Sequence, residues 1–266
     1  MRIGIIGTGN MGRAIVEGVV AGSLAQVSAW DVNPAALGKL PREVDIHDPQ
    51  SWFASGPRPD VVVVAVKPAD CCKTLSRCRD SDGVGPDVLW CSVAAGVKLD
   101  ALAAAVGGAG ARVCRVMPNT PLLVGMGASA YCCTESCTER DRETIERVFG
   151  ERGVIVAVDE KQMDAVTGLS GSGPAYVYLF IEALIEAGIT AGIPHETART
   201  LAVQTVRGAA EMVHQGDLSP WQLKTMVTSP AGTTAHGLLA LEEQGFKHSV
   251  ISAVLGAARR SRELGG

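Results

Sequence analysis

A short apolar run at residues 3–6 passes straight into Gly7-x-Gly9-x-x-Gly12, and an amphipathic segment, residues 11–20, begins inside the same turn. A strand that stops on glycine and turns at once into a helix is the first half of a βαβ unit in an open parallel sheet. Each glycine has a task in such a turn. Gly7 allows the tight bend, Gly9 lets the backbone approach a pyrophosphate, and Gly12 lets the helix lie close on the strand. The helix N-terminus adds unpaired N–H groups and a partial positive charge. Gly7, Thr8, Gly9, Asn10, Met11 and Gly12 are therefore the first candidate residues for a dinucleotide. Asp31 follows nineteen residues after Gly12, at the end of the next strand pattern, where a carboxylate meets ribose hydroxyls.

The rest of the first 160 residues alternates between two periods. Residues 26–31, 44–46, 60–66, 87–92, 111–117, 128–132 and 154–158 read as strands. Residues 34–40, a segment from about Ala69, and residues 99–106 and 139–150 read as helices. Val61-Val62-Val63-Val64-Ala65-Val66 is apolar without alternation, the mark of a strand covered on both faces. After Gln162 no strand pattern remains. Residues 174–191, 194–214, 219–227, 233–244 and 248–263 all carry helical spacing. The expected fold is α/β: an N-terminal Rossmann-type doubly wound parallel sheet over residues 1–160, followed by an all-helical domain over residues 161–266. The helical part is thin for a core of its own, so its Ala- and Leu-rich helices are expected to build a homodimer interface. The cleft between the domains is the default place for a site.

With 47% hydrophobic and 20% charged residues, the composition is that of an ordinary globular protein. A net charge of −4 leaves no basic footprint for nucleic acid. No run approaches the ~18 apolar residues of a membrane span. The first strand pattern begins at Arg2, which leaves no room for a leader, and a cytoplasmic location is expected. Eight cysteines stand at 71, 72, 78, 91, 114, 132, 133 and 137, with no CxxC and no nearby histidine to complete a zinc set. They read as reduced thiols, with Cys91 and Cys114 as small core residues and Cys132, Cys133 and Cys137 as the one cluster; no metal is expected.

In an open α/β sheet, ligands lie beyond the carboxyl ends of the strands. Ala65-Val66-Lys67-Pro68, Ser92-Val93-Ala94-Ala95-Gly96 and Met117-Pro118-Asn119-Thr120-Pro121 all fall there. Ala65, Val66, Lys67, Pro68 and Ala94 read as walls of the dinucleotide pocket, and the Asn119 amide as a group that orients the nicotinamide. Lys67 reads equally as a solvated turn lysine, and Asn119 as a turn residue bonding its own backbone. Two further segments, residues 167–174 and 228–234, present hydroxyls and bare N–H groups where helices begin. That is a carboxylate site, or else plain capping.

Taken in order, five segments resemble the pyrroline-5-carboxylate reductase family along nearly the whole chain. They are Ile3-Gly4-Ile5-Ile6-Gly7-Thr8-Gly9-Asn10-Met11-Gly12, Ala65-Val66-Lys67-Pro68, Arg115-Val116-Met117-Pro118-Asn119-Thr120-Pro121, Leu169-Ser170-Gly171-Ser172-Gly173-Pro174-Ala175-Tyr176, and Ser229-Pro230-Ala231-Gly232-Thr233-Thr234. The resemblance implies reduction of 1-pyrroline-5-carboxylate to L-proline by NADPH or NADH, the last step of proline synthesis. It implies that Ser172, Gly173 and Pro174 frame the substrate. It also implies that amides of Gly232, Thr233 and Thr234 hold the substrate carboxylate, that the Thr234 hydroxyl meets the ring nitrogen, and that Ser229 lines the same pocket. It further implies dimers that interlock through the helical domain and assemble further, commonly into decamers. Ala231 departs from the family pattern, which more often has glycine there. Between residues 14 and 38 there is no Arg or Lys, and Asp31 would repel a 2′-phosphate, so NADH is expected to serve at least comparably. The alternative is that Asp31 points away and Asn33 receives the phosphate. A hydroxyacid dehydrogenase of the same architecture would need a catalytic lysine; Lys224 is the nearest candidate and precedes the motif.

Overall fold

The computed structural model describes residues 1–47, 58–80 and 87–265. Its described residues carry strands β1 (Arg2–Ile6), β2 (Gln26–Trp30), β3 (Asp45–Ile46), β4 (Val61–Val64), β5 (Leu89–Ser92), β6 (Val113–Met117), β7 (Gly127–Cys133) and β8 (Gly153–Ala157). Helices α1 (Asn10–Ala21), α2 (Pro34–Leu37), α3 (Pro68–Arg79), α4 (Leu99–Val106), α5 (Glu139–Gly150) and α6 (Met163–Val166) accompany them. Then come α7 (Gly173–Thr190), α8 (His195–Gln215), α9 (Pro220–Met226), α10 (Thr233–Glu243) and α11 (Phe246–Leu264).

All eight strands join one sheet in the order β3-β2-β1-β4-β5-β6-β7-β8. From β3 to β6 every pairing is parallel. The doubly wound parallel sheet expected from the sequence is present, with one departure: β7 runs antiparallel to β6, and β8 runs with β7. The cause is the link between β6 and β7, a tight 3₁₀ turn at Thr120–Val124 with Gly125 at φ 74° closing it. A parallel neighbour would need a crossover of about a dozen residues or more. Strand order reverses on either side of β1, so the crevice between the carboxyl ends of β1 and β4 is the switch point where such folds bind ligands.

Alternation along the strands divides the core in two. Val61 and Val63 of β4 pack with α1 and α5 residues such as Ile15, Val19, Ile145 and Phe149. Val62 and Val64 face the other way, onto Cys71, Leu75 and Leu102 of α3 and α4. A strand covered on both faces has no polar side to show, which is why the valine run lacks alternation. The same rule corrects the cysteine cluster. Cys132 and Cys133 are neighbours on β7, so they point to opposite faces. Cys132 joins the α3–α4 side, whereas Cys133 meets Cys114 of β6. Cys114 and Cys133, expected as reduced thiols, are joined in a disulfide, and Cys137 lies beside them.

By contacts the chain falls into two compact units: residues 1–172 with 255–265, and residues 173–254. In the first, the carboxyl end of α11 returns to the sheet's own loops. Ser261 Oγ donates to Asp164 Oδ1 at 2.6 Å, and Gly265 lies so near Gly96 that a Cβ on it would overlap the Gly96 carbonyl. In the second, α7 packs along α8, where a Cβ on Gly188 would stand 3.0 Å from that of Ala198. Its helices are well started: Ser219 and Gln222 form a capping box on α9 with Pro220 in the first turn. Yet within residues 173–254 only Ala198 and Ala202 are buried in the single chain. Tyr178, Leu179, Leu201, Met212, Trp221 and Ile251 are all more than half exposed. A unit of this size with so little buried has no core of its own.

Candidate active site

The glycine-rich turn sits at the switch point. Gly7 has φ 88°, and a Cβ there would come within 2.7 Å of the Ala65 carbonyl at the end of β4. Gly7 N–H donates to the Trp30 carbonyl (2.8 Å), and Ala65 N–H to that of Ile6 (2.7 Å), so the ends of β2, β1 and β4 are tied together. A Cβ on Gly12 would run into the Gly7 carbonyl, so α1 can approach the turn only as glycine. Gly9 differs. It starts α1 with φ −60°, and among the described residues nothing lies within 4 Å of the place its Cβ would take. The fold itself therefore has no need of glycine at position 9, and the backbone there is open to a ligand. Helix α1 has no side-chain cap and no acidic residue in its first turn, so its N-terminal amides and dipole stay open to an anion. Gly9 and Asn10 are exposed and Met11 half-buried. These residues fit a dinucleotide pyrophosphate.

Asp31 does not point away. Its Oδ2 accepts from the Thr8 N–H at 2.6 Å and from Thr8 Oγ1 at 3.2 Å, while Oδ1 accepts from the Asn33 N–H at 2.8 Å. Thr8 is only 2% exposed, so this carboxylate fixes the turn from beneath. A carboxylate offers about four lone-pair sites, and part of that capacity remains for ribose hydroxyls. The Asn33 side chain caps α2 through the Ala35 N–H (3.1 Å) instead of standing free. No sequence signal announced the Thr8–Asp31 link, because it joins residues from two separate βα turns.

Around the turn, Ala65 and Val66 are half-buried, while Lys67 starts α3 with Pro68 in its first position and both are exposed. Ala94 is buried, its N–H on the Ser92 hydroxyl at 3.2 Å. Asn119 is 7% exposed and its amide works inside the protein: Oδ1 accepts from the Ala128 N–H at 2.9 Å, and Nδ2 donates to the Ser170 carbonyl at 3.1 Å. It neither bonds its own turn nor stands free, although one amide hydrogen and one lone pair remain.

Ser170 belongs to a feature the sequence concealed, a π-helical turn over Thr167–Gly171. Ser172 N–H reaches the Thr167 carbonyl at 2.8 Å, and Thr167 Oγ1 and Ser170 Oγ bond carbonyls four residues back. Turns of this kind are rare and gather at functional sites. Met117 fills the space beside Gly171, so a Cβ there would overlap the end of its side chain. The same strand carries Arg115, 3% exposed, between Glu160 (3.6 Å) and Asp164 (4.0 Å). Glu160 in turn accepts the Leu99 N–H at 2.6 Å. The signal for this buried ion network was available in the sequence: a lone arginine between Cys114 and Val116, on the opposite face of the strand.

The second polar segment starts α10. Ala231 has φ 56°, a left-handed conformation that costs an L-residue roughly 1–2 kcal/mol and suits glycine. Gly232 is the N-cap, with no side-chain cap and no acid in the first turn. Ser229 closes the bend: the Gly232 N–H donates to its carbonyl at 3.0 Å, and a Cβ on Gly232 would overlap its hydroxyl. Among the described residues the Thr233 and Thr234 hydroxyls have no hydrogen-bond partner. Amides at an uncapped helix start, with free hydroxyls beside them, make a seat for a carboxylate.

A glycine-rich βα turn at the switch point of a mostly parallel sheet, joined in one chain to a helical unit with an anion seat, defines a dinucleotide-dependent oxidoreductase. Comparison narrows the class. A family model described as NADP oxidoreductase coenzyme F420-dependent matches residues 2–96, and one described as pyrroline-5-carboxylate reductase dimerisation matches residues 160–264. A pyrroline-5-carboxylate reductase of Glycine max is 42% identical, with 98% of this chain and 95% of that one covered. One of Escherichia coli is 36% identical over 99% of this chain and 98% of its own. A crystal structure of Plasmodium falciparum pyrroline carboxylate reductase with NADP bound superposes with a TM-score of 0.89 at 32% identity, covering 100% and 98%. The chain belongs to the pyrroline-5-carboxylate reductase family. No described helix is long and apolar enough to cross a membrane.

Proposed function

We propose that this chain reduces 1-pyrroline-5-carboxylate to L-proline with NAD(P)H, the closing step of proline synthesis, in the cytoplasm. The observation that carries the reading is the uncapped start of α10, with free Thr233 and Thr234 hydroxyls, in a chain that also has the open Gly9 backbone. Residues 1–160 serve the dinucleotide, and residues 161–266 serve the substrate and dimerisation; the dimerisation match over 160–264 supports that division.

The coenzyme supplies a hydride. Gly9, Asn10 and Met11 hold its pyrophosphate on a turn that Gly7, Thr8 and Gly12 shape through their own contacts; Asp31 holds its ribose, and Ala65, Val66, Lys67, Pro68 and Ala94 wall the pocket. Asn33 shapes the adenosine end and Asn119 the nicotinamide end. The substrate carboxylate sits on the amides of Thr233 and Thr234, while Gly232, expected to share in this, shapes the turn with its own N–H on the Ser229 carbonyl; Ser229 and the Ser172-Gly173-Pro174 bend lie around the ring. Thr234 Oγ1 meets the ring nitrogen. Protonation of that nitrogen makes the C=N carbon electrophilic, so the protein's task is chiefly orientation and no nucleophile is required.

Coenzyme oxidation followed at 340 nm with this imine tests the reading; binding of NAD(P)H without saturable turnover would overturn it. Because Asp31 stands beneath the turn as a carboxylate, NADH serves at least comparably to NADPH. A preference for NADPH above roughly tenfold, about 1.4 kcal/mol, would remove that claim. Asp31→Asn keeps an acceptor for Thr8 and loses the charge, so its NADPH-to-NADH rate ratio should rise.

The exposed apolar side chains of residues 173–254 are covered by a second copy, and dimers assemble into a decamer. Light scattering at micromolar concentration should report the dimer mass or a multiple of it. A stable monomer would contradict the first statement, and a dimer that goes no further the second.

A further inference from the structure

We propose that Cys114, Cys133 and Cys137 form a thiol–disulfide exchange site, in which a single disulfide has two seats and the partly exposed Cys133 is its point of entry. Cys114 on β6 and Cys133 on β7 are directly opposite, with Cα atoms 4.2 Å apart. The Thr134 N–H donates to the Val113 carbonyl at 2.9 Å, which makes this a non-hydrogen-bonded pair, the closer of the two antiparallel kinds. Beside this disulfide Cys137 keeps its thiol.

What distinguishes the site is the third sulfur. Cys137, in the turn before α5, places its Sγ 3.9 Å from that of Cys114. Its thiol is held there by the Val113 carbonyl at 3.5 Å and the Thr134 hydroxyl at 3.6 Å. All three sulfurs lie within 4.8 Å of one another. Cys114 and Cys137 are buried and Cys133 is not, so a reagent from solution meets Cys133 first. Cys132 faces the opposite core and takes no part.

Thiol–disulfide chemistry at three such sulfurs balances without any group that is missing. In the reduced protein, the Cys133 thiolate attacks a small-molecule disulfide of the glutathione class, forms a mixed disulfide and releases one small thiol. Cys114, giving up its proton, attacks Cys133 Sγ and displaces the second small thiol. In sum, two protein thiols are oxidised, one small disulfide is reduced, and both protons leave on the small thiols. From there the Cys137 side chain, which stands to the side of the 114–133 bond, turns into line with it and attacks Cys114 Sγ. The 114–133 bond breaks as the 114–137 bond forms, and the Cys137 proton passes to Cys133, with no net oxidation. In the second seat the disulfide is wholly buried and the Cys133 thiol is released toward solvent as a modification site.

Disulfide mapping of the full chain, equilibrated in a glutathione disulfide buffer and alkylated before proteolysis, tests this. Wild type should carry one disulfide, 114–133 or 114–137, with the remaining cysteines alkylated. Cys137→Ser should form only 114–133 and leave no Cys133 thiol to label; Cys133→Ser, checked for fold by NAD(P)H binding, should oxidise far more slowly than wild type because its entry thiol is gone. A thiol reagent added to oxidised wild type should label Cys133 while the protein keeps its disulfide, a readout that needs no variant. The proposal is overturned if oxidised wild type never labels at Cys133. It is equally overturned if Cys133→Ser oxidises as fast as wild type, or if Cys71, Cys72, Cys78, Cys91 or Cys132 joins the bonds in comparable yield.

Discussion

Thr234→Ala should lower kcat/KM for the imine by one to three orders of magnitude, roughly 1–4 kcal/mol, with NAD(P)H affinity nearly unchanged. The reasoning is local. Thr234 lies in the first turn of α10, behind an N-cap glycine, and its hydroxyl has no partner among the described residues. Removing it costs the fold no hydrogen bond, and under the proposed function it takes the hydroxyl partner from the substrate's ring nitrogen. Threonine and alanine both tolerate a helix start, so the melting temperature should hold. Steady-state kinetics with a separate coenzyme titration decide the matter. Equal losses in both would mean that the helix start had been disturbed and not the chemistry.

Two glycines of one motif should respond in opposite ways. Gly12→Ala places a Cβ on the backbone oxygen of Gly7, which no rotamer change relieves. Turn and helix must separate, at a cost of ~1–3 kcal/mol and a fall of several degrees in Tm. Gly9→Ala meets nothing within 4 Å among the described residues, so Tm should stay where it is. Its methyl stands where a pyrophosphate approaches, however, and NAD(P)H affinity should fall at least tenfold, about 1.4 kcal/mol or more. Thermal melts beside coenzyme titrations separate the two. A Gly9→Ala chain that binds NAD(P)H as tightly as wild type would remove the pyrophosphate from this turn.

Much of the architecture was legible because it rests on local rules. The glycine spacing and the Val61–Val64 run announce a buried parallel strand beside a βα turn, whatever the remainder does. Ser219 and Pro220 mark the start of α9 in the sequence alone. The antiparallel β7 was less visible. Its strand pattern looks the same in either direction, and only the shortness of the link through Thr120–Val124 selects the reversed one. Asn119 and Asp31 show the same limit in the site. Each was singled out as polar and near a strand end, yet their partners, Ser170 with Ala128 and Thr8 with Asn33, depend on which loops the sheet order brings together.

The amino-acid order by itself determined which segments become strands and helices, where the dinucleotide turn lies and which two polar segments begin helices near glycine. These follow from periodicity, φ freedom and capping, all properties of a few neighbouring residues. Only the tertiary structure decided that Gly9, unlike Gly7 and Gly12, has no protein atom to avoid, that a π turn carries Ser170 to the Asn119 amide, and that Cys133, not its neighbour Cys132, meets Cys114 and Cys137. Those outcomes turn on strand register and on sheet faces shared by residues far apart in the chain, and a one-residue change in register would reverse every one of those faces.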